Sequence, residues 1–413
     1  MTRPRGPASG FAAVAGASAI AGALGYAITI VAARLLGVDY AVFGVFWSAM
    51  YFVVGALAGG QQEFARMTRA APGSRVETAV SRALWWFAAA AIVIASIASL
   101  AAARFVFDDQ TVSFSVALAV GLASYGVYAA LLGTQYGVKR WWLVATVTIA
   151  DPLVRLIAIV LAVQTGGGIV GAAWAAVLPF PLLAFFLVAA LRRTGGISID
   201  RAPRASVIAA LTVVGGGVAA SFLINGVPVL FQIVAPNETP IAVAGYVFAF
   251  ILIRAPLVVG VLALQSFLIV TLRDHANPRR LTQLIVAGTL TASVAGAAAL
   301  AAFGEPFVAA VAGNLPSPSA VLLIGIAIAS GTTASLVVTG CLALAEGRRR
   351  GYSLGWWGAA IAVIAIAVIV PGDATARITI ATIAGPLVGV VVHAAGRSRR
   401  VTRLSDEDPV PDP

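Results

Sequence analysis

A chain of 413 residues that is 60% hydrophobic and only 10% charged, with a mean hydropathy of +0.98, carries too few charges for a water-soluble globule, in which about a quarter of the residues are charged. Its formal net charge of +11 would raise nucleic-acid binding in a soluble protein. Here the basic residues sit in short loops between apolar runs, where they act as orientation signals, and nucleic acid is excluded as a partner.

Apolar runs of about twenty residues, the length that crosses a bilayer as helix, predict an all-α polytopic membrane protein of about twelve spans. The first six cover 11–33, 41–60, 83–103, 112–133, 142–163 and 169–191. The second six cover 207–234, 243–264, 281–303, 320–344, 352–370 and 378–396. The first run is too long for a signal-peptide core and reads as a retained span. A polar connector divides the chain into a six-helix bundle over 1–195, a cytoplasmic linker over 196–205 and a second six-helix bundle over 206–396. The acidic, proline-containing tail over 397–413 reads as a disordered cytoplasmic segment.

Arginine placement orients the chain. Of the 27 basic residues, all but five fall at the N-terminus, in alternate loops and in the tail; the five are Arg34, Arg104, Arg377, Arg155 and Arg254. Basic residues accumulate on the cytoplasmic side, so both termini are expected there, and the even number of spans is supported independently. Val42-Phe-Gly-Val-Phe46, opening the second span, is echoed by Val243-Ala-Gly-Tyr-Val247, opening the eighth. Both copies run in the same direction, as in parallel repeats.

Three ionisable residues lie within spans, where a charge facing lipid is costly and implies a partner or a polar cavity. Asp151 and Arg155 are four apart on the fifth helix, in the better order for an ion pair. They are read either as a pair that fixes helix packing or as part of a substrate cavity, with Arg155 on an anionic substrate and Asp151 holding it or exchanging a proton. Arg254 in the eighth span has no acid within four residues. Its partner is expected to be Asp151, backbone carbonyls or a substrate phosphate, which a guanidinium matches in a bidentate way. Asn225, with Gly226 and Pro228, marks a breakable, polar stretch of the seventh helix suited to an interhelical hydrogen bond or a substrate contact. The lone Cys341, in an apolar run, excludes an intrachain disulfide. No catalytic set, metal-ligand cluster or nucleotide-binding loop is present in the sequence. The chain is therefore expected to be no enzyme, with no catalytic residue, bound metal or cofactor.

Ala32-Ala-Arg-Leu-Leu-Gly37, Asp39-Tyr40 and Val42-Phe-Gly44 resemble the opening of the oligosaccharide flippase branch of the multidrug/oligosaccharidyl-lipid/polysaccharide exporter superfamily. Gly60-Gln-Gln-Glu-Phe-Ala-Arg66, Leu132-Gly-Thr-Gln135 with Lys139-Arg140, and Ala244-Gly-Tyr246 with Arg254-Ala-Pro256 follow in register. The resemblance implies two six-helix bundles around a cavity open alternately to each side. It implies a polyprenyl-linked oligosaccharide or polysaccharide precursor as substrate and the bacterial plasma membrane as location. Membrane lipids, a glycan polymerase and glycosyltransferases are the implied partners. It would place Arg34 near the outer mouth, and Gln62, Glu63 and Arg66 at the inner mouth. Many relatives carry an acidic residue where this chain has Asn225 and Pro228, which weakens a cation-coupling role there. The chain also lacks the extra helix pair of the lipid II flippase branch. Two other readings stay open: a drug or small-molecule antiporter depending on Asp151, and a non-transporting scaffold of a glycan-assembly complex.

Overall fold

The computed structural model describes residues 7–71, 78–105, 111–192, 196–199, 202–313, 315 and 318–395. The expected disordered tail over 397–413, the N-terminal Arg3 and Arg5, and Arg75, Arg193 and Arg201 lie outside the described residues. What is described is almost wholly helical, as hydrocarbon requires, because a single run can satisfy every peptide group within itself only as a helix.

The first spans are α1 (Pro7–Leu36), α2 (Tyr40–Met67), α3 (Thr78–Phe105), α4 (Thr111–Gly137) and α5 (Trp141–Gln164). The sixth is α6 (Gly168–Val177) continued by α7 (Pro179–Arg192). The seventh is α8 (Pro203–Ser221) and α9 (Val227–Val234), and the eighth is α10 (Pro240–Ala263), followed by α11 (Gln265–Asp274). The last four are α12 (Pro278–Ala312), α13 (Ala320–Ala345), α14 (Arg349–Ile369) and α15 (Ala374–Ala395). Among the described residues, 11 segments are long and apolar enough to cross a membrane. The first of them, Ala13–Met67, contains both α1 and α2, so all twelve predicted spans are present as helices. Gly37, in the turn between those two, holds φ at +54°, a backbone setting that glycine adopts without a Cβ penalty.

The structure refines several spans. A π-turn over Phe222–Gly226 separates α8 from α9 at the stretch expected to break, and such turns are a regular source of kinks. The sixth span is interrupted only at Leu178, whose N–H still donates to the Trp174 carbonyl at 3.0 Å, so the helix direction carries through. The ninth span continues past the expected end at 303 to Ala312, with Pro306 inside the helix, so most of the expected outer loop is helical. Pro152, Pro256 and Pro386 are likewise retained within helices.

Two features were not foreseen. Strands β1 (Thr68–Ala70) and β2 (Ile197–Ile199) pair antiparallel, with Arg69 opposite Ser198. They fasten the connector between the two sets of six spans to the end of α2, and the N–H of Ala71 donates to the Gly196 carbonyl at 2.8 Å. The turn from α4 to α5 is also repeated at α13 to α14. Lys139 has φ 60° and Gly347 has φ 70°, and the next residues, Arg140 and Arg348, have φ/ψ of −84°/63° and −86°/64°. In both turns the second residue's N–H closes onto the carbonyl five residues back: Arg140 onto Gln135 at 3.0 Å and Arg348 onto Ala343 at 2.8 Å. The fourth and tenth spans thus end in the same backbone motif, a second internal correspondence beside the one at Gly44 and Gly245.

Two compact units emerge. The first takes in described residues up to Leu252 with Pro306–Pro318, and the second Ile253–Glu305 with the described residues from Ser319 on. Phe43, Phe46, Phe64, Phe87, Phe114 and Phe180 fill the first unit's interior. In the second, α13 is the most enclosed helix, buried along most of Leu322 to Ala343. Its buried Ser330 and Ser335 hydroxyls donate to carbonyls four residues back at 2.8 Å, and the Ser335 hydroxyl also lies 3.2 Å from the Thr289 hydroxyl of α12. The outward faces carry bare apolar side chains, among them Trp85 and Phe185, both more than 70% exposed, as a lipid-facing surface does.

Candidate functional site

In the first unit, α5 brings Asp151 and Arg155 to one face, and their side chains form an ion pair along the helix. A second guanidinium nitrogen of Arg155 donates to the carbonyl of Ala176, in a stretch where Pro179 and Pro181 have no N–H to give back to the preceding turn. Around it, α2 and α7 supply a box of rings. The guanidinium carbon lies 4.7 Å from the Phe180 ring centre, 5.6 Å from Trp47 and 5.7 Å from Tyr51. The Met50 sulfur stands 3.9 Å from one of its nitrogens. Arg155 is fully buried, whereas the Asp151 side chain keeps 19% of its surface exposed. A cation held by one carboxylate, one carbonyl and three ring faces offsets its desolvation through all three kinds of contact. The accessible member of the pair is therefore the acid. A cation or proton reaching Asp151 would loosen the contact that neutralises Arg155.

In the second unit, Arg254 of α10 is 5% exposed and donates to the Thr333 hydroxyl of α13 at 3.0 Å. That hydroxyl in turn donates to the Ala329 carbonyl at 2.8 Å. Thr333 is thus a neutral partner of Arg254, while Asp151 is engaged by Arg155 of its own helix. His393 of α15 is fully buried nearby in the same unit. One ring nitrogen lies 2.9 Å from the Thr339 hydroxyl and the other 3.1 Å from the Tyr352 carbonyl, and Gly355 leaves room for the ring.

Arg34 donates to the carbonyls of Ala310 at 2.7 Å and Val311 at 3.0 Å. These are end carbonyls of α12, which lack intrahelical donors and carry the negative end of the helix dipole. Because Arg34 is exposed, Arg34→Ala is expected to lower stability by about 1 kcal/mol or less, seen as a small drop in melting temperature in detergent. At the other end of the first unit, Gln62 is exposed. Glu63 is 6% exposed and accepts from Arg66, whose side chain is about half exposed, through a bidentate contact with one leg of 2.9 Å. Asn225 is half-buried in the π-turn and lies against α2 at Gly55, beside Ser221, whose hydroxyl donates to the Phe52 carbonyl at 2.6 Å.

No protein-family model matches the chain. Two proteins of Mycobacterium tuberculosis, each described only as uncharacterized, are 31% and 30% identical to it over 407 and 412 residues. The alignments cover 95% and 96% of this chain and 93% and 94% of the two proteins. The chain belongs to their family. Solved structures resembling this family member include an inward-facing multidrug resistance MATE family transporter of the MOP superfamily, with a TM-score of 0.69 at 13% identity. That match covers 94% of this chain and 96% of the other. The lipid II flippase MurJ, in an inward closed conformation, gives a TM-score of 0.71 at 13% identity, over 95% of this chain and 93% of that one. The fold, a multi-pass membrane fold, is thus shared with the MATE and MurJ proteins across nearly the whole chain.

Of the residues singled out from sequence, the structure joins Asp151 to Arg155 and Glu63 to Arg66, and it gives Arg254, Arg34 and Asn225 separate surroundings. The ring box was missed. Its signal was present in Trp47 and Tyr51, one helical turn apart, and in Phe180 between two prolines. His393 carries no signal in the sequence, because its partners come from α13 and α14.

Proposed function

We propose that the protein is a transporter that passes a polyprenyl-linked oligosaccharide or polysaccharide precursor across the bacterial plasma membrane by alternating access, with both termini cytoplasmic. The observation that carries this reading is the presence of two guanidinium groups, Arg155 and Arg254, inside the spans of a fold shared with a drug transporter and a lipid flippase. A buried guanidinium matches the phosphates of such a lipid better than a neutral drug. Arg254, a buried cation within α10 that donates to the Thr333 hydroxyl, is the substrate-contacting residue in this reading, with Asp151 and Arg155 as a second polar station. Arg34 and Asn225 are further candidate contacts, and Gln62, Glu63 and Arg66 belong to the inner mouth. Glycosyltransferases or a polymerase would supply and consume the lipid-linked glycan.

The test is an export assay in a host lacking its own copy. Arg254→Ala, at normal protein level, is expected to reduce surface glycan on the order of tenfold or more and to accumulate the lipid-linked precursor, because a charge-assisted hydrogen bond is worth about 1.5–3 kcal/mol. Arg254→Lys should recover part of the activity. Wild-type export by Arg254→Ala would remove the proposed role. One observation favours a second reading, a cation-coupled antiporter: Asp151 is the accessible member of its ion pair. That mechanism predicts loss of transport in Asp151→Asn even with a drug as substrate.

A further inference from the structure

The first unit carries two apolar grooves, each lined in part by α4 and by the sixth span. One, of about 340 Å³, lies where α3 meets α4 and α7, between Leu84, Trp85, Val127, Leu131, Val188 and Leu191. The other, of about 460 Å³, lies where α5 meets α4, α6 and α7, between Val120, Leu161, Ala162, Trp174, Leu178 and Pro181. On the sixth span, positions 174, 178, 181, 188 and 191 recur at spacings of three, four and seven, which places them on one face of a helix. The carried-through hydrogen bond at Leu178 keeps that face continuous. Positions 120, 127 and 131 of α4 do the same. The grooves are therefore two lengths of one seam. The first lies beside the start of α3 and the end of α7, the second beside the turn from α5 to α6. From Gly171 to Leu191 the sixth span rises about 30 Å, the thickness of the hydrocarbon core.

We propose that this seam is a track for the isoprenoid chain of a phosphate-headed lipid, with one groove serving each half of the bilayer; this deepens, and rests on, the transport reading above. Three observations select that occupant. A phospholipid chain that stays in its own leaflet needs one groove, whereas a chain carried between leaflets must be received in both halves. The floors are opened by small residues, Ala88 and Ala130 in one groove and Ala158 and Gly171 in the other, while a tryptophan walls each, Trp85 in the first and Trp174 in the second. Arg82 is exposed and stands one helical turn before Trp85, so a cation lies on the same face as the wall of the first groove, where an anionic head would sit. The track is also adjacent to the ion-pair site: Pro181 lines the second groove, and its neighbour Phe180 holds the Arg155 guanidinium against its ring at 4.7 Å.

The test uses the full chain in vesicles of phosphatidylethanolamine and phosphatidylglycerol. The probe is a polyprenyl phosphate with a diazirine in its isoprenoid chain, and a diazirine phosphatidylglycerol serves as comparison. The expected result is that prenyl adducts concentrate on groove residues of α4, α6 and α7 at about tenfold the level at exposed Val294 or Ile361, and that unlabelled polyprenyl phosphate, but not phosphatidylglycerol, removes them. Val127→Trp should lower labelling of the first groove about tenfold and spare the second, with Ala162→Trp doing the reverse, since each fills space that several methylenes would occupy. Competition on the wild-type chain decides the matter without the variants if either fails to fold. Equal competition by phosphatidylglycerol, or adducts spread evenly over lipid-facing residues, overturns the track. Saturable prenyl adducts elsewhere on the protein overturn the track and leave the transport reading standing. No saturable prenyl adduct anywhere overturns both.

Discussion

Arg155→Ala is expected to destabilise the protein by about 3–5 kcal/mol, read as a fall in the midpoint of thermal or denaturant unfolding in detergent. The loss does not come mainly from the ion pair itself. Removing the guanidinium leaves the Asp151 carboxylate without its partner, the Ala176 carbonyl without that donor, and a hollow bounded by Trp47, Tyr51 and Phe180. Each of these is unfavourable in a site that water reaches only at the edge of Asp151. The sign of the double mutant separates the contributions. Asp151→Ala together with Arg155→Ala should be more stable than Arg155→Ala alone, because the orphaned carboxylate is gone. Arg155→Lys should recover only part of the loss, since an ammonium cannot reach carboxylate and carbonyl at once from a planar fork. An Arg155→Ala protein that melts with the wild type would show that the pair contributes nothing to folding.

The second large effect is expected at Gly133→Val, about 3 kcal/mol at the upper end of ordinary overpacking. A Cβ at Gly133 would meet the Gln61 carbonyl oxygen and the Phe64 Cβ, the latter at 2.9 Å. Both belong to or adjoin the backbone of α2, so neither can rotate away. The two helices would have to separate, which would unseat Phe64 from its edge-on contact with Phe87, at 5.4 Å between ring centres. Gly288 of α12 provides the contrast, because nothing lies within 4 Å of the Cβ it lacks. Gly288→Ala should be neutral, or stabilise by up to about 1 kcal/mol through helix propensity. Equal effects at the two positions would argue against close packing of α2 on α4.

The difference between those glycines is invisible in the sequence, and it marks where sequence reasoning stopped. The spans were legible because hydrocarbon enforces one backbone solution over some twenty residues, and the pairing of Asp151 with Arg155 was legible because four residues is one helical turn. Gly133 could be quoted as part of a family-like Leu132-Gly-Thr-Gln135 run, yet its reason, a backbone crossing at Gln61, depends on which helix lies opposite. The ring box around Arg155 failed to show for the same cause, since its members come from α2 and α7. Arg34 was expected near an outer mouth from resemblance, and its observed contacts with the end of α12 depend on that helix running past Pro306. The α13 to α14 turn was hidden differently: Lys139 and Gly347 share a left-handed backbone that glycine advertises and lysine conceals.

The small β1·β2 ribbon has a mechanical consequence. A connector pinned by three residue pairs cannot behave as a slack tether between the two sets of six spans. Between Ile199 and the start of α8 at Pro203 only a few residues remain, so any swing of α8 must pivot about a point anchored to the end of α2. A tilt arising in α2 would be carried into β2, a few residues from the start of α8.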